Sequence, residues 1–167
     1  MIVGSHLIVR IMTPDAVAQI KASYAGVAAL PRRLASRFYE ELFTAAPALR
    51  AIFPGDLTLL QGHFEAALAL VIRNLDEVQA LQAPLRDLGA QHVHWGARPE
   101  DYVTAREALI AAIRSLSPEW TPALESHWRS AITEIVVPML EGAAVHTAMA
   151  AERLAEEERG GGLFRPD

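Results

Sequence analysis

Leu85, Leu88 and His92, in the stretch LRDLGAQHVHWGARPEDY of residues 85–102, fall at i, i+3 and i+7 and share one face of a helix. That face carries two leucines and then an imidazole. Gly96 and Pro99 close the helix soon afterwards, and Pro99-Glu100-Asp101 reads as the start of another, with acids in its first turn. An imidazole ending an otherwise apolar helix face is what a buried haem iron would need as its axial ligand. The plainer alternative is a core histidine satisfied by a backbone carbonyl.

Other chemistries are poorly served. Asp87 with Glu100, and Glu40 with Glu41, lack a spacing that suggests acid–base work, and the neighbours Ser126 and His127 point to different sides of a helix. The chain has no cysteine, which excludes disulfides, a thiol nucleophile, iron–sulfur clusters and thiolate zinc sites. A net charge of −5 and the lack of a basic stripe with interleaved aromatics argue against nucleic acid or an anionic membrane as partner. The longest apolar run, Ala66–Ile72, is far short of a membrane span, and the opening MIVGSHLIVRIM does not read as a signal peptide, so a cytoplasmic protein is expected.

The elements that must position His92 are all helical. The 167 residues, half of them hydrophobic, suit one domain with a real core. Thr13-Pro14-Asp15 starts a first helix, with Val17, Ile20, Tyr24 and Val27 at helical spacing. Pro31 opens a second, carrying Leu34, Phe38 and Leu42 on one face with Tyr39 and Phe43 beside them, and Pro47 stops it. Ala48–Phe53 is a short element before the turn Pro54-Gly55-Asp56. Leu57–Asn74 is a third long helix. Glu77–His94 follows, with a break expected at Pro84. Pro99–Ser115 points Tyr102, Ala105, Leu109 and Ile113 inward. Ser117-Pro118-Glu119 is the expected start of the last helix, which buries Leu124, Trp128, Ile132, Ile135 and Met139 and should kink at Pro138. The run Glu152–Arg159 is expected to form i,i+4 charge pairs on a wet face. The fold class is all-α, with six to eight helices. Residues 1–12 read as an N-terminal extension, 13–148 as the folded domain, and 149–167 as a charged helical extension with a disordered tail.

Over residues 13–141 this order of features resembles the globin family, nearest to single-domain bacterial haemoglobins and the haem domain of flavohaemoglobins, and more distantly to neuroglobin. The likeness rests on Phe38-Tyr39, Leu42-Phe43, Pro47 and Leu49 through Phe53; on Asn74-Leu75-Asp76-Glu77; on Leu88-Gly89-Ala90-Gln91-His92 with Gly96, Pro99 and Tyr102; and on Trp120-Thr121-Pro122 with Trp128. It implies a globin fold around a pocket for haem b, with His92 on the iron and Phe53 wedging the haem plane at an interhelical corner. Phe53, Leu60, Phe64, Leu68, Leu88 and Tyr102 would line the pocket. Tyr39 matches the position overhanging the far side of the iron, where a phenol would donate a hydrogen bond to the outer oxygen of bound O₂.

Two details depart from the family pattern. Counting back from Asn74, the distal-helix position that usually carries His or Gln falls on Leu60, in an apolar face with Phe64, Ala67, Leu68 and Val71. Gln61 lies about 100° off that face and His63 about 60° off. A shift of one residue would aim Gln61 at the ligand, while His63 could reach the pocket mouth. His94 falls opposite His92 and is expected to be exposed. In the flavohaemoglobin-like branch the Tyr matching Tyr102 joins a hydrogen-bonded set with a Glu on the last helix, but the matching position here is Ala143. Glu141 lies about 200° round the helix from it. A strong electronic push on the iron is therefore not expected.

These features imply a haem protein that binds O₂, NO and CO, for oxygen storage, delivery or sensing, as monomer or homodimer. A second expectation is nitric oxide dioxygenation. The 167 residues leave no room for an attached reductase and carry no dinucleotide fingerprint, so that activity would need a separate reductase. A third is a haem-free interaction module with the same fold.

Overall fold

The computed structural model describes residues 12–161, and all regular structure among them is helical. The elements are α1 (Pro14–Ala28), α2 (Arg33–Ala45), α3 (Thr58–Arg73), α4 (Gln82–His94), α5 (Asp101–Leu116) and α6 (Pro122–Gly161), with 3₁₀ segments at Pro47–Ile52 and Leu75–Leu81. Residues 1–11 of the expected extension (1–12) and 162–167 of the expected tail lie outside the described residues. Among the described residues no helix is long and apolar enough to cross a membrane.

Local chemistry sets the boundaries. Thr13 caps α1 by accepting the Ala16 N–H at 3.2 Å, and Pro14 sits in the first turn, where a missing N–H costs nothing. The α2 cap comes from another helix. Arg32 takes a left-handed conformation (φ 61°), and its N–H and that of Ala35 donate to the Glu65 carboxylate of α3 at 3.2 and 3.3 Å. Pro84 does not break a helix as the sequence suggests. The irregularity falls earlier, at Glu77 in the 3₁₀ segment, and Pro84 occupies the first turn of α4, where proline is tolerated. The last helix starts later than expected. The Ser117 hydroxyl is spent on the Ile113 carbonyl at 2.8 Å, so Thr121 caps instead, accepting the Leu124 N–H at 3.1 Å. The helix runs on through Pro138, which is buried.

The apolar faces form two clusters. The larger joins α1, α2, α3, α5 and the first part of α6 around Trp128, Ile20, Ile110, Ile113 and Val27, all essentially inaccessible to solvent. Each such side chain stabilises the fold by about 1.5–3 kcal/mol. The Trp128 indole N–H donates to the Ser23 hydroxyl at 3.3 Å, so its one polar atom is also satisfied. The smaller cluster, Leu85, Tyr102 and Met139 with Leu81, Leu88, Ile135 and Leu140 at its edge, fastens α4 to α5 and α6. Beyond Ala143, the described side chains of α6 are exposed except for half-buried Ala155. No ion pair among the described residues falls within Glu152–Arg159, contrary to expectation. The i,i+4 relations there explain it: Glu152 meets Glu156, and Arg153 precedes Glu157 in the less favourable order.

Candidate functional site

The first wall of the site is aromatic. α2 is strongly two-faced and buries Leu34, Phe38, Tyr39 and Leu42. The Tyr39 ring lies 5.7 Å from Phe53 and 6.0 Å from Phe64, while Phe38 stacks on Phe64 at 4.6 Å. Tyr39 is 5% exposed, and burial pushes its phenol up to about 12. It therefore keeps its proton near neutrality and is available as a donor. No hydrogen bond among the described residues engages its hydroxyl.

Phe53 reaches this wall from a corner that Arg50 pins. The Arg50 guanidinium donates to the carbonyl oxygens of Phe53, Pro54 and Gly55 at 3.1, 2.8 and 2.9 Å, and lies 5.4 Å from the Phe43 ring centroid. Charge-assisted bonds to three successive carbonyls hold a segment that has no regular structure of its own. The sequence reading missed Arg50. Its only signal was a basic residue just before a Phe-Pro-Gly turn.

α3 supplies the next part of the wall. Leu68 is buried, Leu60 and Phe64 are half-buried, and all three belong to the larger cluster. Leu60 lies one turn before Phe64, in the row beside Tyr39. Gln61 lies one turn before Glu65, in the row that serves the start of α2, and His63 is exposed. The polar side chains near Leu60 thus lie off the row that meets Tyr39.

The second part of the candidate site is the end of α4. His92 is half-buried, with Nδ1 2.8 Å from the carbonyl oxygen of Leu88. A carbonyl can only accept, so Nδ1 carries the proton and Nε2 keeps a free lone pair. Burial lowers the proton affinity of the ring more than the Leu88 bond raises it, which favours the neutral, ligating form. The Tyr102 ring lies 6.0 Å from that of His92, and its buried hydroxyl has no hydrogen-bond partner among the described residues. Glu141 does not reach it: its carboxylate is half exposed and takes Arg86 at 2.9 Å, while Ala143 is buried. Trp95, 52% exposed, lies 5.1 Å from His92 and was not anticipated. His94 is exposed, as expected.

Just beyond α4, Gly96 lies beside Ile52, where a β-carbon would make ordinary contact at 3.5 Å; its φ of 93° is what favours glycine. Elsewhere α3 packs on α1 and α2, and α4 on α6. Half-buried Phe53, Leu60, Phe64 and Leu88 are apolar, and half-buried His92 adds one nitrogen donor. Among the described residues no three His, Asp or Glu side chains converge as a metal site. One imidazole in apolar surroundings fits a metal that a flat, largely apolar chelate already holds by its other bonds, and these residues fit haem.

The chain is similar to known proteins. The globin family model matches residues 36–139. An anaerobic nitrite reductase of Oryza sativa subsp. indica is 30% identical over 115 residues, 65% of this chain and 79% of that protein. A flavohemoprotein of Rhizobium meliloti is 32% identical over 99 residues, 56% of this chain but 24% of that protein. Among solved structures, a bacterial globin from Campylobacter jejuni aligns with a TM-score of 0.70 at 18% identity, over 79% of this chain and 96% of that one. An engineered carbene transferase from Rhodothermus marinus, whose parent is provisionally called a nitric oxide dioxygenase, gives 0.72 at 23% identity over 83% and 99%.

Proposed function

The chain belongs to the globin family, and on that premise we propose that it is a haem protein that binds O₂ and other diatomic gases, NO and CO among them. When bound, haem b supplies an iron with a coordination site open to such gases. His92 holds that iron through Nε2, and the bond from Nδ1 to Leu88 fixes the ring's rotation and tautomer. Phe53, Leu60, Phe64, Leu68, Leu88 and Tyr102 keep the pocket apolar and exclude water. The Tyr39 phenol, which keeps its proton near neutrality, would donate a hydrogen bond to the gas. The folded unit responsible is residues 13–148, with the charged end of α6 outside it.

The observation that carries this reading is the His92–Leu88 pair, which leaves one neutral imidazole nitrogen free at the end of α4. The test is the visible spectrum of the purified protein as isolated, reduced, and reduced with carbon monoxide. A haem band that shifts sharply on adding carbon monoxide is expected. Absence of any haem band, even after reconstitution with haem, would leave a haem-free interaction module as the better account.

A second reading, nitric oxide dioxygenation with a separate reductase, draws support from the likeness to a flavohemoprotein and to the Rhodothermus marinus structure. Sustained NO consumption by the oxygenated protein with a flavoprotein reductase, and not without one, would favour it. A Tyr102 hydroxyl without the Glu partner argues against strong peroxidase-like activity.

A further inference from the structure

α4 and α6 touch backbone to backbone at two reciprocal points. A β-carbon on Gly89 of α4 would lie 2.7 Å from the Met139 Cα and overlap the Met139 carbonyl of α6. A β-carbon on Gly142 of α6 would lie 2.7 Å from the Arg86 Cα and overlap the Arg86 carbonyl of α4. The pairs 86–142 and 89–139 step three residues in opposite directions, so two antiparallel helices interlock over one turn, each with a glycine against the other's carbonyl. Both glycines are buried, and the Arg86–Glu141 ion pair flanks the contact. Carbonyl oxygens set against glycine Cα–H groups add weak attraction. A rigid backbone on the far side means that no side chain can move aside to admit a methyl group. By contrast, Gly26 and Gly62, in α1 and α3, have nothing within 4 Å of a β-carbon.

The interlock ends beside His92. Leu88, whose carbonyl holds Nδ1, is the neighbour of Gly89, and His92 is the next residue in the row Arg86–Gly89. We propose that Gly89 and Gly142 are positioning residues for the proximal imidazole. Their contact fixes the height of α4 over α6, and through it where Nε2 stands. This rests on the haem reading above, although the interlock itself does not. Ligand geometry of this kind tolerates displacements of only about 0.5 Å, less than the room a methyl group demands.

The test compares Gly142→Ala and Gly89→Ala with Gly26→Ala and Arg86→Gln. In the ferrous haem-loaded proteins, resonance Raman spectroscopy reads the iron–histidine stretching band. Both interlock variants should shift that band and lose haem roughly tenfold faster, a change that corresponds to one decade in an equilibrium constant. Gly26→Ala and Arg86→Gln should leave the band in place. A merely structural role would lower the melting temperature of the interlock variants with the band unmoved, and that outcome overturns the proposal. If neither interlock variant folds, amide exchange in the wild-type protein decides. The amides of residues 89–93 should exchange only through global unfolding, because α4 cannot lift while the backbones interlock. Exchange there by easy local opening would overturn the proposal. A wild-type protein that takes up no haem overturns the haem reading and leaves the exchange measurement to judge the interlock.

Discussion

The imidazole Nδ1 of His92 lies 2.8 Å from the carbonyl oxygen of Leu88, one helical turn before it, so the residue that offers Nε2 is oriented by its own helix. That carbonyl serves both the backbone ladder and the side chain. The ring orientation is thereby tied to the integrity of α4 and to its seat on α6. His92→Ala should abolish the protein ligand and lower haem retention by tenfold or more, on the order of 1.4 kcal/mol. Added imidazole should restore a histidine-like reduced spectrum, because the walls remain. An unchanged deoxy spectrum in His92→Ala would remove His92 from the iron.

Tyr39→Phe isolates the phenol. The ring's neighbours Phe53 and Phe64 are aromatic, and the hydroxyl has burial as the sole cause of its raised pKa of about 12. Deleting the oxygen should leave the packing intact. A hydrogen bond to a polar ligand in a dry pocket contributes about 2 kcal/mol, so O₂ should leave at least roughly tenfold faster. Stopped-flow displacement of O₂ by carbon monoxide measures this directly. An unchanged off-rate would mean that the phenol does not face the ligand, and Gln61 would become the donor to test.

Acid should weaken the haem-free protein through His92. Burial holds its proton affinity below the ordinary histidine value near 6.5. The unfolded chain therefore takes up a proton that the folded one resists. The stability linked to this ring is complete above about pH 6.5 and falls as pH drops from there towards the lower folded value. Urea midpoints measured from pH 8 to pH 5 should decline more in the wild type than in His92→Phe. Parallel curves would show that the imidazole is not held neutral by the fold.

His92 could be singled out from the chain because its signal is local: it ends an apolar helix face between proline and glycine punctuation that survives in the linear order. Phe53 and Tyr39 stand out only through the resemblance to globins, since an aromatic side chain in an apolar stretch is as well explained by the core. Glu65 capping α2, Arg50 stapling the Phe53 corner and the Gly89–Gly142 interlock could not be found that way. Glu65 and the two glycines gain their meaning from partners 30 or more residues away, and a glycine inside a helix gives no sign of what lies against it. The false start at Ser117 has a similar origin. Ser117-Pro118 and Thr121-Pro122 carry the same capping signature, and only the three-dimensional end of α5 shows that the Ser117 hydroxyl is already engaged with Ile113. The distal register was legible as an alternative only, since Leu60 and Gln61 are adjacent. In the structure Phe64, one turn after Leu60, lies by Tyr39, and Glu65, one turn after Gln61, serves the start of α2.

Tyr102→Phe probes the other phenol. Its hydroxyl is buried without a partner among the described residues, and the position that the resemblance to flavohaemoglobins matches to a glutamate holds Ala143, itself buried. Burying an unpaired hydroxyl costs free energy, so removing it should be neutral or stabilising by up to about 1 kcal/mol in urea unfolding. The ring would stay in the small cluster with Leu85 and Met139. For the same reason the carbon monoxide kinetics should not change, nor should the iron–histidine band, unlike that of the interlock variants. A loss of stability beyond about 1 kcal/mol, or a shifted band, would mean that the phenol gains an acceptor once haem is in place, and that a proximal hydrogen-bonded set exists here without its glutamate.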